Sequence, residues 1–226
     1  MTKKKVCNTL LIFLASAIAI VIVFPVYLLI ISSFKESQDV FNMNLFPSLS
    51  TLTLENYKTV FTEENFGGNI FNSFYVATIV TVVALLFHAM SGYALARLNF
   101  RGRKVIFTWI ISTLMIPFSV IMIPLFIIIK NMGLINNLWG IIIPMIPNAY
   151  GIFLFHQFFL GIPKELEESA KIDGASYFGV FWRIVLPLSK PIAVTLAVAF
   201  FLANWNNYLW PLIVAQDREL WLVQIA

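Results

Sequence analysis

Charged residues divide this chain into long apolar stretches separated by short polar ones. Five stretches contain no Asp, Glu, Lys or Arg: 6–34, 65–96, 105–129, 131–163 and 191–216. A helix of about 20 apolar residues crosses a bilayer core about 30 Å thick. The pattern therefore predicts an all-α membrane bundle with five spans, at about 10–31, 70–95, 105–129, 138–160 and 192–214.

The third and fourth stretches must form two helices rather than one. Residues 105–163 contain a single charge, Lys130, and would be about 88 Å long as one helix. We expect the chain to reverse direction at four residues that are typical of turns: Asn131, Gly133, Asn136 and Asn137.

The basic residues indicate which helix ends face the cytoplasm. With a cytoplasmic N-terminus, 11 of the 15 Lys and Arg residues fall in the N-terminal tail, the 96–104 loop and the 161–191 segment. Cytoplasmic loops of membrane proteins are enriched in Lys and Arg. We therefore predict a multi-pass protein of the cell membrane (the inner or plasma membrane), with an outer segment over 32–68 and the last residues outside.

The composition excludes several classes of protein. The chain is 60% hydrophobic and 12% charged, whereas soluble domains average about 25% charged residues. Outer-membrane barrels alternate polar and apolar residues over about 10 positions, which excludes a barrel here. The net charge of +4 follows from the topology, so a soluble enzyme and a nucleic-acid binder are excluded as well.

Motifs for catalysis, metal binding and nucleotide binding are missing from the sequence. His88 and His156 stand far apart without a Cys ligand nearby, and we expect both to form hydrogen bonds between helices. The one G-x4-G, from Gly174 to Gly179, lacks the Lys and Ser/Thr of a P-loop. Cys7 is interpreted as an apolar helix residue. We predict no catalytic residue, no metal site and no cofactor bound by this chain.

Small and polar residues indicate how the spans pack. One face of the second span holds a row of them: Ser73, Ala77, Thr81, Ala84 and His88. The fifth span has two pairs of alanines spaced for packing: Ala193 with Ala197 and Ala199 with Ala203. Pro117 and Pro124 predict a bend in the third span.

Residues 163–191 form the most informative cytoplasmic segment. We predict a first helix that begins at Pro163 and ends at Gly174. A second helix, capped by Ser176, is expected to end before Pro187, with one apolar stripe: Tyr177, Val180, Phe181, Ile184 and Val185. Such an amphipathic hairpin lies in the headgroup region or docks on a partner protein, and both alternatives are open at this point.

The hairpin resembles a known signature. Glu168-Ser169-Ala170, Gly174, Ile184 and Leu186-Pro187 match the E-A-A-x3-G-x9-I-x-L-P pattern of ABC importer permeases, with Ser169 in place of one Ala. The chain also resembles carbohydrate-importer permeases related to the smaller maltose-permease subunit over nearly its whole length, through Phe46-Pro47, Leu52–Tyr57, Gly92–Arg97, Ile116-Pro117, Ile123–Leu125, Gly151–Leu154 and Trp205–Leu212.

The resemblance implies a permease subunit of an ATP-driven, binding-protein-dependent sugar importer, without enzymatic activity of its own. The implied partners are a second permease in a heterodimer, two ATP-binding subunits that hold ATP and Mg, and an extracytoplasmic solute-binding protein. Coupling to the ATPase is implied for eight hairpin residues: Glu168, Ser169, Ala170, Asp173, Gly174, Ile184, Leu186 and Pro187.

The domain organisation follows from the same resemblance. Residues 1–226 are expected to form a single permease domain that contains the coupling hairpin, 163–191. Permeases of this kind continue through another outer segment and a sixth span. We therefore expect a C-terminally truncated permease, and a naturally short protein is the alternative.

Amides and aromatic residues in the fifth span are candidates for a solute path, because amides bind hydroxyl groups and aromatic faces stack on sugars: Asn204, Trp205, Asn206, Asn207 and Tyr208. The alternative is that the aromatic residues belong to the interfacial belt and the amides join helices. Asn148 and Tyr150 in the fourth span are secondary candidates.

Three other functions are open from the sequence. They are an importer of another small solute such as a polyol or glycerol phosphate, a truncated non-transporting assembly partner, and a secondary carrier driven by an ion gradient. The five predicted spans carry no Asp, Glu, Lys or Arg. That lack disfavours an anionic solute and an ion-coupled carrier.

Overall fold

The computed structural model describes residues 2–36, 38–40 and 52–226. The predicted Phe46-Pro47 motif lies outside these residues. The described part is helical, with one isolated antiparallel bridge between Lys35 and Leu52. By its contacts the chain divides into two units, Met1–Phe66 and Gly67–Ala226.

The first unit contains one long helix, α1 (Thr2–Ser33), and one short helix, α2 (Glu55–Thr62). The first predicted span lies within α1, whose stretch Cys7–Ser33 is long and apolar enough to cross a membrane. The Asn56 amide ties α2 to the end of α1, because its Nδ2 donates to the carbonyls of Ser33 at 3.0 Å and Lys35 at 2.7 Å.

Helix α3 (Phe66–Arg97), which lies in the second unit from Gly67 onward, contains the second predicted span. The row of small and polar residues predicted to pack on this helix is buried, from Ser73 to His88. That packing prediction is confirmed. Small side chains on this face let the neighbouring helices approach closely.

The third predicted span is a bent pair rather than one straight helix. Helix α4 (Arg103–Ser112), extended by a 3-10 turn to Met115, and helix α5 (Phe118–Asn131) are bent by 106° at their junction. Pro117 causes the break, since it cannot donate a helical hydrogen bond and holds Ile116 extended, at φ −93° and ψ 114°. The predicted bend is thus located at Pro117, whereas Pro124 lies inside α5.

The reversal between the third and fourth spans lies where it was predicted. Gly133 and Asn136 adopt positive φ angles of 71° and 54°. Asn137 then caps helix α6 (Leu138–Met145), because its side chain accepts a hydrogen bond from the backbone N–H of Trp139 at 2.9 Å. Helix α7 (Ala149–Leu160) completes the fourth span.

Several helical elements, most of them short, follow α7 along the chain. They are α8 (Glu165–Ile172), α9 (Tyr177–Val180), a π-helical turn (Phe181–Val185), α10 (Leu186–Leu188), α11 (Lys190–Trp205) and α12 (Leu209–Val214). The fifth predicted span, 192–214, is interrupted rather than one continuous helix, because α11 ends at Trp205 and α12 is a separate helix. Asn204 and Asn206 explain this end, since their side-chain amides donate to the carbonyls of Phe200 and Leu202 within α11.

Two apolar clusters form the core of the second unit. One joins the end of α3, α7, the 163–191 segment and α11, and includes Phe155, Phe159, Val185 and Leu196. The other joins the start of α3, α5, α6 and α12, and includes Ile141, Trp210 and Leu222. The hairpin at 163–191 is therefore attached to the spans by its own apolar residues.

Candidate coupling hairpin and solute path

The predicted hairpin forms with a sharp turn at Gly174. Gly174 has a φ of +87°, a conformation that residues with a Cβ rarely adopt. Its N–H donates to the Lys171 carbonyl at 3.0 Å, and the N–H of Ala175 donates to the Ala170 carbonyl at 2.9 Å. These bonds close the C-terminus of α8.

Most of the predicted coupling residues are on the open side of this hairpin. Glu168, Ser169, Asp173, Gly174 and Pro187 are exposed. The other three are half-buried: Ala170, Ile184 and Leu186. The signature thus has its polar residues and its glycine in contact with solvent around the turn, where another protein can reach them.

The exposed surface at the turn is also apolar. Ile172 is 86% exposed, Phe178 63% and Tyr177 57%. The ammonium group of Lys171 lies 4.4 Å from the centre of the Tyr177 ring. Exposed apolar residues flanked by charges are typical of a protein-binding surface.

The second half of the hairpin confirms one prediction and corrects two. Ser176 caps α9, because its Oγ accepts a hydrogen bond from the N–H of Gly179 at 3.1 Å. The predicted apolar stripe divides, since Val180, Phe181 and Val185 are buried whereas Tyr177 is exposed.

The helix also does not stop before Pro187, as predicted, but continues to Leu188. A π-helical turn precedes the proline, with the N–H of Leu186 bonded to the Phe181 carbonyl. The wider turn accommodates the proline ring, which would clash with a carbonyl in a regular α-helix.

A buried charge network fixes the hairpin to the spans, and the sequence analysis missed it. Nε of Arg97, in the last turn of α3, lies 3.1 Å from Oε1 of Glu167, and the two side chains are 5% and 6% exposed. The hydroxyl of Tyr93 donates to Oε2 of Glu167 at 3.3 Å. Removing one member of a buried pair costs about 3–5 kcal/mol. No sequence pattern relates Glu167 to Arg97, because the two residues are far apart in the chain.

The candidate residues of the solute path differ in their surroundings. Asn204 is buried and bonded within α11, and the Nδ2 of Asn206 is bonded there as well. Trp205 stacks on Phe201, with ring centres 5.9 Å apart. Asn207 and Tyr208 lie in the break before α12, and Nδ2 of Asn207 is 3.5 Å from the Met145 sulfur at the end of α6.

The secondary candidates lie in the fourth span. The Oδ1 of Asn148 caps α7 by accepting from the N–H groups of Tyr150 at 2.9 Å and Gly151 at 3.3 Å. Tyr150 is 50% exposed. Asn148 therefore has a structural role that occupies its carbonyl oxygen, while the Tyr150 ring is open.

His88 joins two spans, as predicted. Its Nε2 lies 2.9 Å from the Ile146 carbonyl oxygen and 3.1 Å from the backbone nitrogen of Asn148, both in the break between α6 and α7. His156 stacks on Phe107 of α4 with ring centres 4.0 Å apart. Within the described ranges, no group of three or more His, Cys, Asp or Glu residues could hold a metal ion.

Residues 89–224 match the family described as binding-protein-dependent transport system inner membrane component. The permease AraQ of the arabinooligosaccharide transport system of Halalkalibacterium halodurans is 39% identical over 92% of this chain and 76% of its own length. The sn-glycerol-3-phosphate permease UgpE of Salmonella typhi is 37% identical over 88% of this chain and 73% of its own.

A solved structure agrees with the sequence matches. The crystal structure of a bacterial ABC transporter involved in the import of the acidic polysaccharide alginate contains a chain that is 25% identical, with a TM-score of 0.86. The match covers 100% of this chain and 80% of that chain. Helices able to span a membrane, together with a helical hairpin between the fourth and fifth spans, define a polytopic membrane transport subunit. The chain belongs to the family of binding-protein-dependent transport system inner membrane components, and it is a permease of the ABC importer type.

Proposed function

We propose that this chain is the permease subunit of an importer for a neutral oligosaccharide, moved by ATP hydrolysis in separate subunits. The observation that carries the proposal is the hairpin at 163–191, whose signature residues and apolar tip are exposed around Gly174. A permease without such a surface would have no place for an ATPase to act.

The coupling role is assigned to eight residues of the hairpin. The polar ones, Glu168, Ser169 and Asp173, are open to donors on a partner. Gly174 gives the sharp turn, and Ile184, Leu186 and Pro187 lead from the hairpin into α11. A groove on the ATPase that accepts Ile172 and Phe178 would bury apolar surface, which favours binding.

The proposed complex contains further subunits. They are a second permease in a heterodimer, two ATP-binding subunits that carry ATP and Mg, and an extracytoplasmic solute-binding protein. This chain itself hydrolyses nothing and binds no cofactor or nucleic acid. It lies in the cell membrane with its N-terminus in the cytoplasm and functions as one domain over 1–226.

The proposed solute is a sugar because two relatives carry it in their names. AraQ proteins of two bacteria serve arabinooligosaccharide transport and match over 92% of this chain. The predicted spans have no Lys or Arg to bind a phosphate. In this proposal the sugar passes the two helix breaks joined by Asn207 and Met145, with the Tyr150 and Tyr208 rings as stacking surfaces.

A second candidate solute is sn-glycerol-3-phosphate, the solute given in the name of the UgpE relative. The two candidates differ in charge and size. Uptake of labelled arabinotriose and of labelled sn-glycerol-3-phosphate by the native host, with and without this chain, tests both. We expect chain-dependent uptake of arabinotriose only. Uptake of the phosphate alone would replace the sugar proposal.

The same cells test the subunit composition. We expect that a tagged chain, purified in mild detergent, brings down an ATPase and a second permease. Recovery of the chain alone, with no uptake of either probe, would favour the alternative that the chain is a non-transporting assembly protein.

A further inference from the structure

Two polar side chains in the last turn of α3 have no role in the transport proposal so far. Arg97 pairs with Glu167 of α8 across 3.1 Å, and the Tyr93 hydroxyl donates a hydrogen bond to the same carboxylate. Both members of the ion pair are more than nine-tenths buried. Glu167 is thus buried, whereas the signature residues Glu168 and Asp173 beside it in the hairpin are exposed.

Arg97 also contacts the fourth span. Its terminal nitrogen donates to the carbonyls of Phe159 and Ile162, at and just after the end of α7. Carbonyls at a helix C-terminus have no partner within the helix and attract cations. One guanidinium group therefore joins three elements: α3, the end of α7 and α8.

Tyr93 extends the same junction to the second half of the hairpin. Its ring centre lies 5.4 Å from that of Phe181 and 6.1 Å from that of Phe159. The last turn of α3 thus contacts both halves of the hairpin and α7. The Arg97–Glu167 pair is thus an ionic link between the hairpin and a span.

A buried ion pair fixes the relative position of the elements that it joins more than it adds to the net stability of the fold. Burying two charges costs most of what their attraction returns. Directional hold comes from the charge-assisted hydrogen bonds at the same junction, from Arg97 to the carbonyls of Phe159 and Ile162 and from Tyr93 to Glu167. We propose that Arg97 and Glu167 are positioning residues for transport, which fix the hairpin to the ends of α3 and α7. A displacement of the hairpin then moves both spans together. The inference rests on the proposed function, in which the ATPase displaces the hairpin.

The test compares three variants in the complete complex, purified through a tag on this chain. Glu167→Gln keeps the shape and removes the charge, and Tyr93→Phe removes only the hydroxyl group. Glu165→Gln is the matched control, because Glu165 is exposed on the same helix. ATP hydrolysis is measured in proteoliposomes, and uptake is measured with the probe that unchanged cells accumulate, arabinotriose or sn-glycerol-3-phosphate.

We expect uptake per ATP hydrolysed to fall about fivefold or more in Glu167→Gln, which is the usual size of a coupling between two sites. The same ratio should fall less in Tyr93→Phe and should not change in the Glu165→Gln control. A purely structural role would lower the thermal midpoint of the complex but leave that ratio unchanged. If the wild-type complex is active and both variants keep its ratio of uptake to ATP hydrolysis, the inference is overturned and the proposed function stands. If the wild-type complex contains no ATPase, the proposed function is overturned instead.

A distance measurement tests the positioning without any solute. Spin labels are placed at Asn99→Cys, just after α3, and at Lys164→Cys, just before α8, in a Cys7→Ser background that has no other cysteine. We expect one narrow distance distribution in the unchanged pair and in Glu165→Gln, and a broad one in Glu167→Gln. Equal widths in all three would contradict the proposal.

Discussion

Single glycines show how closely the backbone of the fourth span approaches its neighbours. A Cβ added at Gly151 would lie 2.3 Å from Nδ1 of His88 and 2.9 Å from the Phe200 ring. The His88 ring cannot withdraw freely, since its Nε2 contacts the Ile146 carbonyl and the Asn148 nitrogen. Glycine at 151 is therefore required by the packing of α3, α7 and α11.

We expect Gly151→Ala to destabilise the protein by about 1–3 kcal/mol, the usual cost of overpacking a core. The midpoint of thermal unfolding in detergent measures the change. Gly67→Ala is the control, because a Cβ there meets no atom within 4 Å. A midpoint as high in Gly151→Ala as in the control would contradict the packing around His88.

The turn of the hairpin depends on one residue in a different way. At Gly174 the space is open, but the φ of +87° disfavours any side chain, by about 1 kcal/mol or more. We expect Gly174→Asp to leave the amount of protein in the membrane unchanged while uptake falls by about tenfold or more. The carboxylate introduced at position 174 would also lie beside that of Asp173 at the proposed ATPase contact.

Gly179→Ala is the matched control for Gly174→Asp. Gly179 lies in the same hairpin without a positive φ, and an added Cβ there would make only ordinary contact, 3.5 Å from the Ser176 oxygen. Normal uptake in Gly174→Asp would refute the coupling role of the hairpin.

At the scale of elements, breaks divide several of the apolar stretches. The pair α4 and α5 is bent by 106°, and α11 ends at Trp205 before α12 begins. Trp210 holds α12 in place, because its indole N–H donates to the Gly140 carbonyl of α6 at 3.1 Å and its ring is buried. A short helix that packs on α6 cannot also extend α11.

We expect Pro117→Ala to weaken the bend between α4 and α5. Spin labels at Lys104→Cys and Lys130→Cys in a Cys7→Ser background report it, since a bend of 106° places the helix ends about 25 Å apart and a straight helix about 40 Å apart. The variant should add a population near the longer distance. A single short distance would show that packing alone maintains the bend.

The sequence predicted the positions of the spans and of the turn between the third and fourth spans better than it predicted the breaks within the spans. Charge-free stretches located α1, α3 and the fourth span, and Gly133 with Asn136 located the reversal. Hydropathy does not report where an apolar helix ends, so the break after Trp205 was missed. The pairing of Arg97 with Glu167 joins residues far apart in the chain, and only the folded structure brings them together.

At the scale of the whole molecule, the predicted orientation can be tested with the one native cysteine, Cys7, which is exposed. We expect a membrane-impermeant maleimide to label Cys7 only after intact cells are permeabilised, because the positive residues indicate a cytoplasmic N-terminus. Asp217→Cys in a Cys7→Ser background is the control and should react from outside. Labelling of Cys7 in intact cells would reverse the topology.

The π-helical turn at Phe181–Val185 makes the length of this segment as important as its composition. A π turn contains one residue more than an α-helical turn, so deleting one residue such as Arg183 would restore a regular helix. Each residue rotates a helix by about 100°, and the deletion would turn Leu196 and Phe200 of α11 away from the core that they now fill. Natural variation between Tyr177 and Leu188 should therefore consist of substitutions, with insertions and deletions selected against.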